Sequence, residues 1–295
     1  MVTTPGLVPA PLLVLGAVVS VQFGGALAAT LVPQIGAAGS VVLRLAFATA
    51  ILLAFARPRW RGHSRRAWLT VVAFGVAMGL MNFAFYGSLA HLPIGVAVTI
   101  EFTGPLTLAA VLSRRPRDLV AVAAAAVGVL LISQALSVPL AELEGTGIVL
   151  AFLAGVCWAT YIIFSGRAGA EFPALEGLAL AMVVATLVVL PFGLWDVTVH
   201  GTSAWSGAIV LTGLGVAVLS SVLPYSLELH ALRRLSAKVF GILLSLEPAV
   251  AALAGLVVLG QRLDPVQLGG MALVVIASAM VLGLGARSEQ EAATP

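Results

Sequence analysis

The chain has 295 residues, of which 61% are hydrophobic and only 9% are charged. Soluble domains carry about 25% charged residues, so this composition excludes an ordinary soluble protein and predicts an integral membrane protein. The net charge of +3 does not indicate nucleic-acid binding, because most of the basic residues lie in the connections between apolar stretches.

Ten apolar stretches follow one another along the chain, and each is about long enough to cross a ~30 Å hydrocarbon core as a helix. We therefore predict an all-α integral membrane protein with ten transmembrane helices. No basic residue precedes the first stretch, so we interpret it as a retained span and not as a signal peptide. The stretches are residues 8–30, 38–56, 68–90, 93–112, 118–136, 145–165, 175–195, 205–228, 237–259 and 265–285.

Basic residues are distributed unequally between alternate connections. Thirteen fall on one side and one, Arg262, falls on the other, which by the positive-inside rule places the first side and both termini in the cytoplasm. The thirteen are Arg57, Arg59, Arg61, Arg65, Arg66, Arg114, Arg115, Arg117, Arg167, Arg233, Arg234, Lys238 and Arg287.

An internal repeat relates the two halves of the chain. Residues 89–105 align without gaps on residues 232–248, and Pro105 meets Pro248. Both stretches cover the fourth span of a five-span unit, and an odd number of spans makes the second unit enter the membrane from the opposite face. We predict a first five-helix repeat at 1–143, a second, inverted five-helix repeat at 144–286, and a cytoplasmic tail at 287–295.

Two carboxylates lie inside predicted spans beside prolines. Glu101 stands four residues before Pro105, and Glu247 directly precedes Pro248. A carboxylate at bilayer depth is costly and marks a solute or ion pathway. Each proline leaves a backbone carbonyl without its helical hydrogen bond, so Pro105, Pro224 and Pro248 are predicted helix breaks or hinges.

Further polar residues lie inside the spans. A solute with a carboxylate and an ammonium would suit this set: Arg44 would bind the first and Glu101 or Glu247 the second. The alternative is a static Arg44–Glu101 ion pair, which the residues alone leave open. We expect Glu228, near a cytoplasmic helix end, to reach water or Arg233. The side chains predicted to orient the solute are Asn82, Tyr86, Tyr161 and Tyr225.

Motifs for other chemistry are missing from the sequence. It has no G-x-x-x-x-G-K-[ST], so ATP use is not expected, and neither H-E-x-x-H nor G-x-S-x-G occurs. The four histidines are scattered and Cys157 is alone, so no metal or cofactor is expected. We therefore do not expect an enzyme. Transport would then be either facilitated movement of the solute or movement coupled to an ion, and a carboxylate at the bilayer midplane can carry a proton.

Six strings in order along the chain carry a family resemblance. The chain resembles the threonine/homoserine exporter group of the EamA branch of the drug/metabolite transporter superfamily. The strings are Glu-Phe-Thr-Gly-Pro-Leu at 101–106, Ser-Arg-Arg-Pro at 113–116, Gly-Val-Cys-Trp-Ala at 155–159, Gly-Arg-Ala-Gly-Ala-Glu at 166–171, Leu-Pro-Tyr-Ser-Leu-Glu at 223–228 and Ser-Leu-Glu-Pro-Ala at 245–249.

The resemblance implies ten helices in two inverted EamA repeats and export of small neutral amino acids. Together with the residues, it predicts an exporter in a bacterial inner membrane that works by alternating access of the two halves, against protons. The alternatives are a permease of the same fold for another small metabolite or drug, and a membrane scaffold or sensor that transports nothing.

Overall fold

The computed structural model describes residues 8–139, 143–200, 206–259 and 263–293, and the regular structure of these residues is helical. Arg262, the basic residue predicted on the opposite side, lies outside them. A π-helical turn (Val218–Val222) joins the helix Gly207–Ala217 to the helix Leu223–Leu232. The helices are α1 (Ala10–Ala29), α2 (Val32–Ile35), α3 (Ala37–Ala56), α4 (Arg65–Ser88), α5 (Ile94–Val111), α6 (Pro116–Ile132), α7 (Gly145–Glu171), α8 (Glu176–His200), α9 (Gly207–Ala217), α10 (Leu223–Leu232), α11 (Ala237–Leu244), α12 (Leu246–Leu259) and α13 (Pro265–Ala293).

Every predicted span contains helix, and eight helices of the described residues are long and apolar enough to cross a membrane. Two predicted spans fall short of that standard. Helix α6 has 17 residues, and the span at 237–259 is divided at Ser245 into α11 and α12. A multi-pass helical membrane protein is thus confirmed, whereas ten crossings stay a prediction. Helix α13 also runs past its predicted end at 285, through alanine, glutamate and glutamine, which favour helix.

Glycines bring several helices into backbone contact. A Cβ atom on Gly75 would lie 2.4 Å from the Ala181 carbonyl oxygen of α8, and one on Gly79 would lie 2.9 Å from that of Ala185. Small residues allow such close approach of helices in membranes, where packing replaces the hydrophobic effect as the driving force. The Gly75/Gly79 pair therefore explains why α4 packs tightly on α8.

The tightest helix pairs join the two predicted repeats. Helix α4 packs on α7 and α8, α3 on α8, α5 on α7, α6 on α13, and α1 on α10. In the predicted inverted repeat, α1, α3, α4 and α6 of the first unit correspond to α7, α8, α10 and α13 of the second. The contact of α4 with α7 then corresponds to that of α1 with α10, whereas the α3–α8 and α6–α13 pairs each correspond to themselves. The repeats are therefore interleaved and do not lie side by side.

Candidate functional site

Arg44 is a buried cation near the middle of α3, with only 6% of its surface exposed. Its guanidinium donates a hydrogen bond to Oδ1 of Asn82 and lies over the Tyr86 ring, with Cζ 5.5 Å from the ring centroid. A guanidinium over an aromatic face is a favourable cation–π arrangement. Both partners are on α4, one helical turn apart, and this spacing lets them hold the same side chain.

No counter-ion accompanies this charge in the described part of the chain. Ion pairs there join His63 to Glu176, Arg66 to Glu171, His91 to Glu144 and Lys238 to Asp118, and Arg44 takes part in none of them. Its Nε atom is buried without a hydrogen-bond partner. The static Arg44–Glu101 pair is therefore not formed in this structure, and Arg44 keeps a free donor for an anionic group.

Asn82 links the Arg44 side chain to the second repeat. Its Nδ2 donates to the Met78 carbonyl oxygen at 2.8 Å and to the Tyr225 hydroxyl at 3.1 Å. The amide is thus held by its own helix, α4, and reaches across to α10. Three of the residues predicted to orient a solute, Asn82, Tyr86 and Tyr225, are brought together around Arg44.

The position of Tyr225 follows from the irregular helix in front of it. Pro224 lacks an N–H and cannot continue the regular ladder, and the wide turn Val218–Val222 precedes it. The Ser20 hydroxyl of α1 donates to the Leu219 carbonyl oxygen of this turn at 2.6 Å. π-Helical turns often lie at functional sites, and this one is held in place by a neighbouring helix.

Glu228 is buried and hydrogen-bonded, so the expectation that it reaches water or Arg233 is wrong. It is 7% exposed, and the Tyr161 hydroxyl donates to its Oε2 at 2.6 Å. Arg233 instead donates to backbone carbonyls at the end of α7, including that of Gly169 at 2.8 Å. The turn of α10 that carries Glu228 faces α7. The expectation failed because the hydropathy of a sequence does not indicate which neighbouring helix a given helix face contacts.

Tyr161 extends the polar group around Tyr225. Its side chain is fully buried, and its ring centroid lies 5.6 Å from that of Tyr225 and 5.4 Å from that of Phe74. The sequence prediction named Tyr161 as a solute-orienting residue; in the structure its hydroxyl serves Glu228 instead. Glu228 is the functional candidate that sequence reasoning missed.

Among the described residues, the Glu101 and Glu247 side chains make no hydrogen bond to this network. Glu101 is buried in α5 at 8% exposure, and Glu247 lies in the first turn of α12. Among the described residues their carboxylates have no hydrogen bond or ion pair with Arg44, Asn82 or Tyr225. The two are nonetheless near enough for their charges to interact, and Glu247 also senses the charge of Glu228. The predicted helix break at Pro248 coincides with the interruption at Ser245, whereas Pro105 stays inside α5.

Two glycines fix the position of Glu101. A Cβ atom on Gly155 of α7 would lie 2.6 Å from the Glu101 carbonyl oxygen, the atom that Pro105 leaves without its helical partner. A Cβ atom on Gly104 would lie 1.9 Å from the Gly155 carbonyl oxygen. Helices α5 and α7 therefore cross backbone to backbone at the predicted break.

A cavity of about 360 Å³ lies at the end of the bundle where α3 begins, which we call the far end. The Asp196 carboxylate at its wall accepts the backbone N–H groups of Ala38 and Gly39, at 2.9 and 3.1 Å, and so caps the start of α3. Tyr86 lines this cavity and also contacts the Arg44 guanidinium, which is not part of the wall. The wall consists of Val32, Gly36, Ala37, Ala38, Val41, Phe83, Tyr86, Gly87 and Asp196.

The opposite end, which we call the basic end, holds the connections at 57–64 and 112–115. Lys238, at the start of α11, donates to the Asp118 carboxylate, at the start of α6, at 2.8 Å. Glu176, at the start of α8, accepts the Arg59 backbone N–H at 2.7 Å and lies 3.2 Å from Nε2 of His63. Each contact joins one predicted repeat to the other, so polar bonds hold the basic end together.

Comparison with known proteins identifies the family. A profile of the EamA-like transporter family matches residues 145–283. The protein named Threonine/homoserine exporter RhtA from Escherichia coli (strain K12) is 42% identical over 268 residues, which cover 90% of this chain and 88% of that protein. The chain belongs to the EamA-like transporter family.

Other comparisons agree with membership of the EamA-like family. The protein of the same name from Salmonella typhimurium (strain SL1344) is 41% identical over 269 residues, with 90% of this chain and 89% of that protein covered. One solved crystal structure shares the fold, with a TM-score of 0.73 at 18% identity over 95% of this chain and 98% of that chain. The EamA-like family is one of transporters, not enzymes, so the residues around Arg44 are candidates for solute binding and not for catalysis.

Proposed function

We propose that the protein exports small neutral amino acids of the threonine and homoserine kind from the cytoplasm. One observation carries the proposal: within the described part of the chain Arg44 is a buried cation with no ion-pair partner and with an unused donor, and its neighbour Tyr86 lines a cavity. A buried charge is costly unless it is paired, so this site favours a solute that brings a carboxylate. The names of the similar proteins from Escherichia coli and Salmonella supply the class of solute.

In the bound state the solute carboxylate takes the free face of the Arg44 guanidinium, whose planar fork suits a carboxylate. Asn82 and Tyr225 hold their positions through their mutual hydrogen bond and orient the solute, and Tyr86 separates Arg44 from the far-end cavity. Glu101 and Glu247 are the midplane carboxyls that we assign to proton coupling. Protons moving inward supply the energy for solute moving outward.

We further propose ten membrane crossings in two inverted repeats, with the basic end and both termini in the cytoplasm of a bacterium. The support is the distribution of basic residues and the pairing of helix contacts that an inverted repeat requires. Alternating access then opens the Arg44 site first to one end and then to the other. The polar bonds at the basic end and the cavity at the far end support assigning the present conformation to the side of the cycle on which solute leaves to the outside.

The test is solute exchange in liposomes that contain the purified protein. Labelled threonine inside is exchanged against unlabelled solutes outside, drawn from a panel of neutral amino acids, charged amino acids and unrelated metabolites. We expect threonine and homoserine to exchange fastest. A faster exchange of an unrelated metabolite would replace the proposed solute class, and an absence of exchange for the whole panel would favour a scaffold or sensor.

Arg44→Met probes the binding residue. Hydrogen bonds to charged groups are worth about 1.5–3 kcal/mol, so we expect the half-saturating threonine concentration to rise about ten- to hundredfold. Thermal stability should not fall, because the substitution removes an unpaired buried charge. Arg167→Met is the matched control, since Arg167 is exposed and lies 4.9 Å from the Phe164 ring centroid, away from the site.

A further inference from the structure

A file of polar side chains leads from Arg44 to Glu228, joined by hydrogen bonds except at one ring contact, between Tyr225 and Tyr161. Arg44 donates to Asn82, and Asn82 donates to the Tyr225 hydroxyl. The Tyr225 ring packs beside that of Tyr161, whose hydroxyl donates to Glu228 at 2.6 Å. All five side chains are less than 10% exposed, so the file runs through the interior of the bundle and does not follow its surface.

The two ends of this file approach opposite ends of the bundle. Arg44 lies seven residues into α3, about 10 Å from the far end at a helical rise of ~1.5 Å per residue. Glu228 lies four residues before α10 ends at Leu232, about 6 Å from the basic end. The file therefore leads from the solute site toward the end that we place in the cytoplasm, and it ends on Glu228, the one carboxyl among its five side chains.

The ionisable groups facing Glu228 are few. They are Tyr161 on α7, Tyr225 one turn earlier on α10, and Glu247 at the start of α12. Helix α1, which packs along α10, has no ionisable side chain, and those of α8 lie only at its two ends. Helix α11 offers only Lys238, which is paired with Asp118. Among the described residues no cation forms an ion pair with Glu228.

We propose that Glu228 is the residue that gives the coupling proton to the cytoplasm, and that Tyr161 and Tyr225 connect its carboxyl to the Arg44 site. This inference rests on the proposed exporter function and orientation. In each cycle the O–H bond of the Glu228 carboxylic acid breaks and its proton passes to cytoplasmic water. The bond forms again with a proton that entered from outside as the solute left.

The test separates exchange from coupling in liposomes that contain the full-length protein. In the first assay, labelled threonine exchanges for unlabelled threonine at equal pH on both sides. In the second, vesicles that are more acidic inside take up labelled threonine against its gradient as protons leave. We expect Glu228→Gln, which keeps the side-chain size and the acceptor for Tyr161, to exchange threonine at no less than half the wild-type rate. We expect its accumulation to fall at least tenfold.

Glu171→Gln is the matched control, because Glu171 lies at the end of α7 outside the file and its carboxylate is 3.6 Å from Nε of Arg66. Tyr161→Phe keeps the ring packing and removes only the hydroxyl. It should also exchange threonine but accumulate less of it, and it serves as the second variant if Glu228→Gln does not fold.

Three results would decide against the inference. If Glu228→Gln accumulates threonine as the wild type does, the proton passes elsewhere. If it loses exchange while its thermal stability is unchanged, Glu228 belongs to solute binding and not to coupling. If Tyr161→Phe accumulates threonine normally, the proposed connection is wrong. Failure of the wild-type protein to exchange threonine would instead refute the proposed function and is observed before any variant is compared.

Discussion

The crossing of α5 and α7 leaves no room for a side chain at Gly155, and this makes a graded test possible. A Cβ atom there would lie 2.6 Å from the Glu101 carbonyl oxygen, whereas ordinary contact begins at 3.4 Å, so the helices must move apart by about 0.8 Å. For Gly104→Ala the atom would lie 1.9 Å from the Gly155 carbonyl oxygen, and the required shift is about 1.5 Å.

Overpacking of this kind costs about 1–3 kcal/mol, while alanine gains about 0.5–1 kcal/mol over glycine in a helix. We therefore expect Gly155→Ala to lower the free energy of unfolding by about 0.5–2 kcal/mol, and Gly104→Ala to lower it by more. If the substitution destabilises only one of the two transport conformations, each 1.4 kcal/mol changes the equilibrium constant between them about tenfold. Because the displaced segment carries Glu101, exchange should slow about tenfold in Gly155→Ala.

The measurements are thermal unfolding of the purified variants in detergent and the initial rate of threonine exchange in liposomes. Gly166→Ala is the control, since Gly166 lies on the same helix, α7, and its Cβ atom would meet nothing within 4 Å. It should unfold at the wild-type temperature or above and exchange at the wild-type rate. If Gly155→Ala and Gly104→Ala behave like Gly166→Ala, the backbone-to-backbone crossing does not exist as described.

Three more predictions concern coupling, the basic end and orientation. Glu101→Gln should insert into the membrane and unfold at the wild-type temperature but lose proton-driven accumulation of threonine, measured in the vesicles that are more acidic inside. Full accumulation by this variant would show that the Glu101 carboxylate is not needed and would favour Glu247 as the proton-coupling residue. A double-mutant cycle on Asp118 and Lys238 should give a coupling energy of about 0.5–3 kcal/mol in thermal unfolding, and additive losses would mean that the pair contributes nothing. A cysteine placed at Gly62 should resist an impermeant reagent applied outside intact cells, whereas rapid labelling would reverse the proposed orientation.

Hydropathy predicted where the helices lie but not which faces meet. All ten apolar stretches contain helix, because a long run of apolar residues is itself the physical requirement for a spanning segment. The break at Ser245 was only indirectly visible, through Pro248 three residues later. The contact of Tyr161 with Glu228 depends on the rotation of α7 and α10, and spacing along the chain carries no information on that rotation.

The same reasoning applies to Arg44. The sequence showed a cation inside a span and offered Glu101 as its partner, since opposite charges in a membrane usually pair. The structure gives it an amide and an aromatic ring instead. The prediction of a binding residue rested on the cost of a buried charge, whereas the choice of partner needed the packing of α3 on α4.

The interleaving of the two repeats has a mechanical consequence. Helices from different repeats make the tightest contacts, so a rocking of one sequence half against the other as rigid bodies would pull apart nearly every glycine-lined seam at once. Small motions that leave the seams intact must bend helices at points where the ladder is already interrupted: the π-helical turn before Pro224, the break at Ser245 and the carbonyl freed by Pro105. We therefore expect the unit of movement to differ from the predicted unit of duplication.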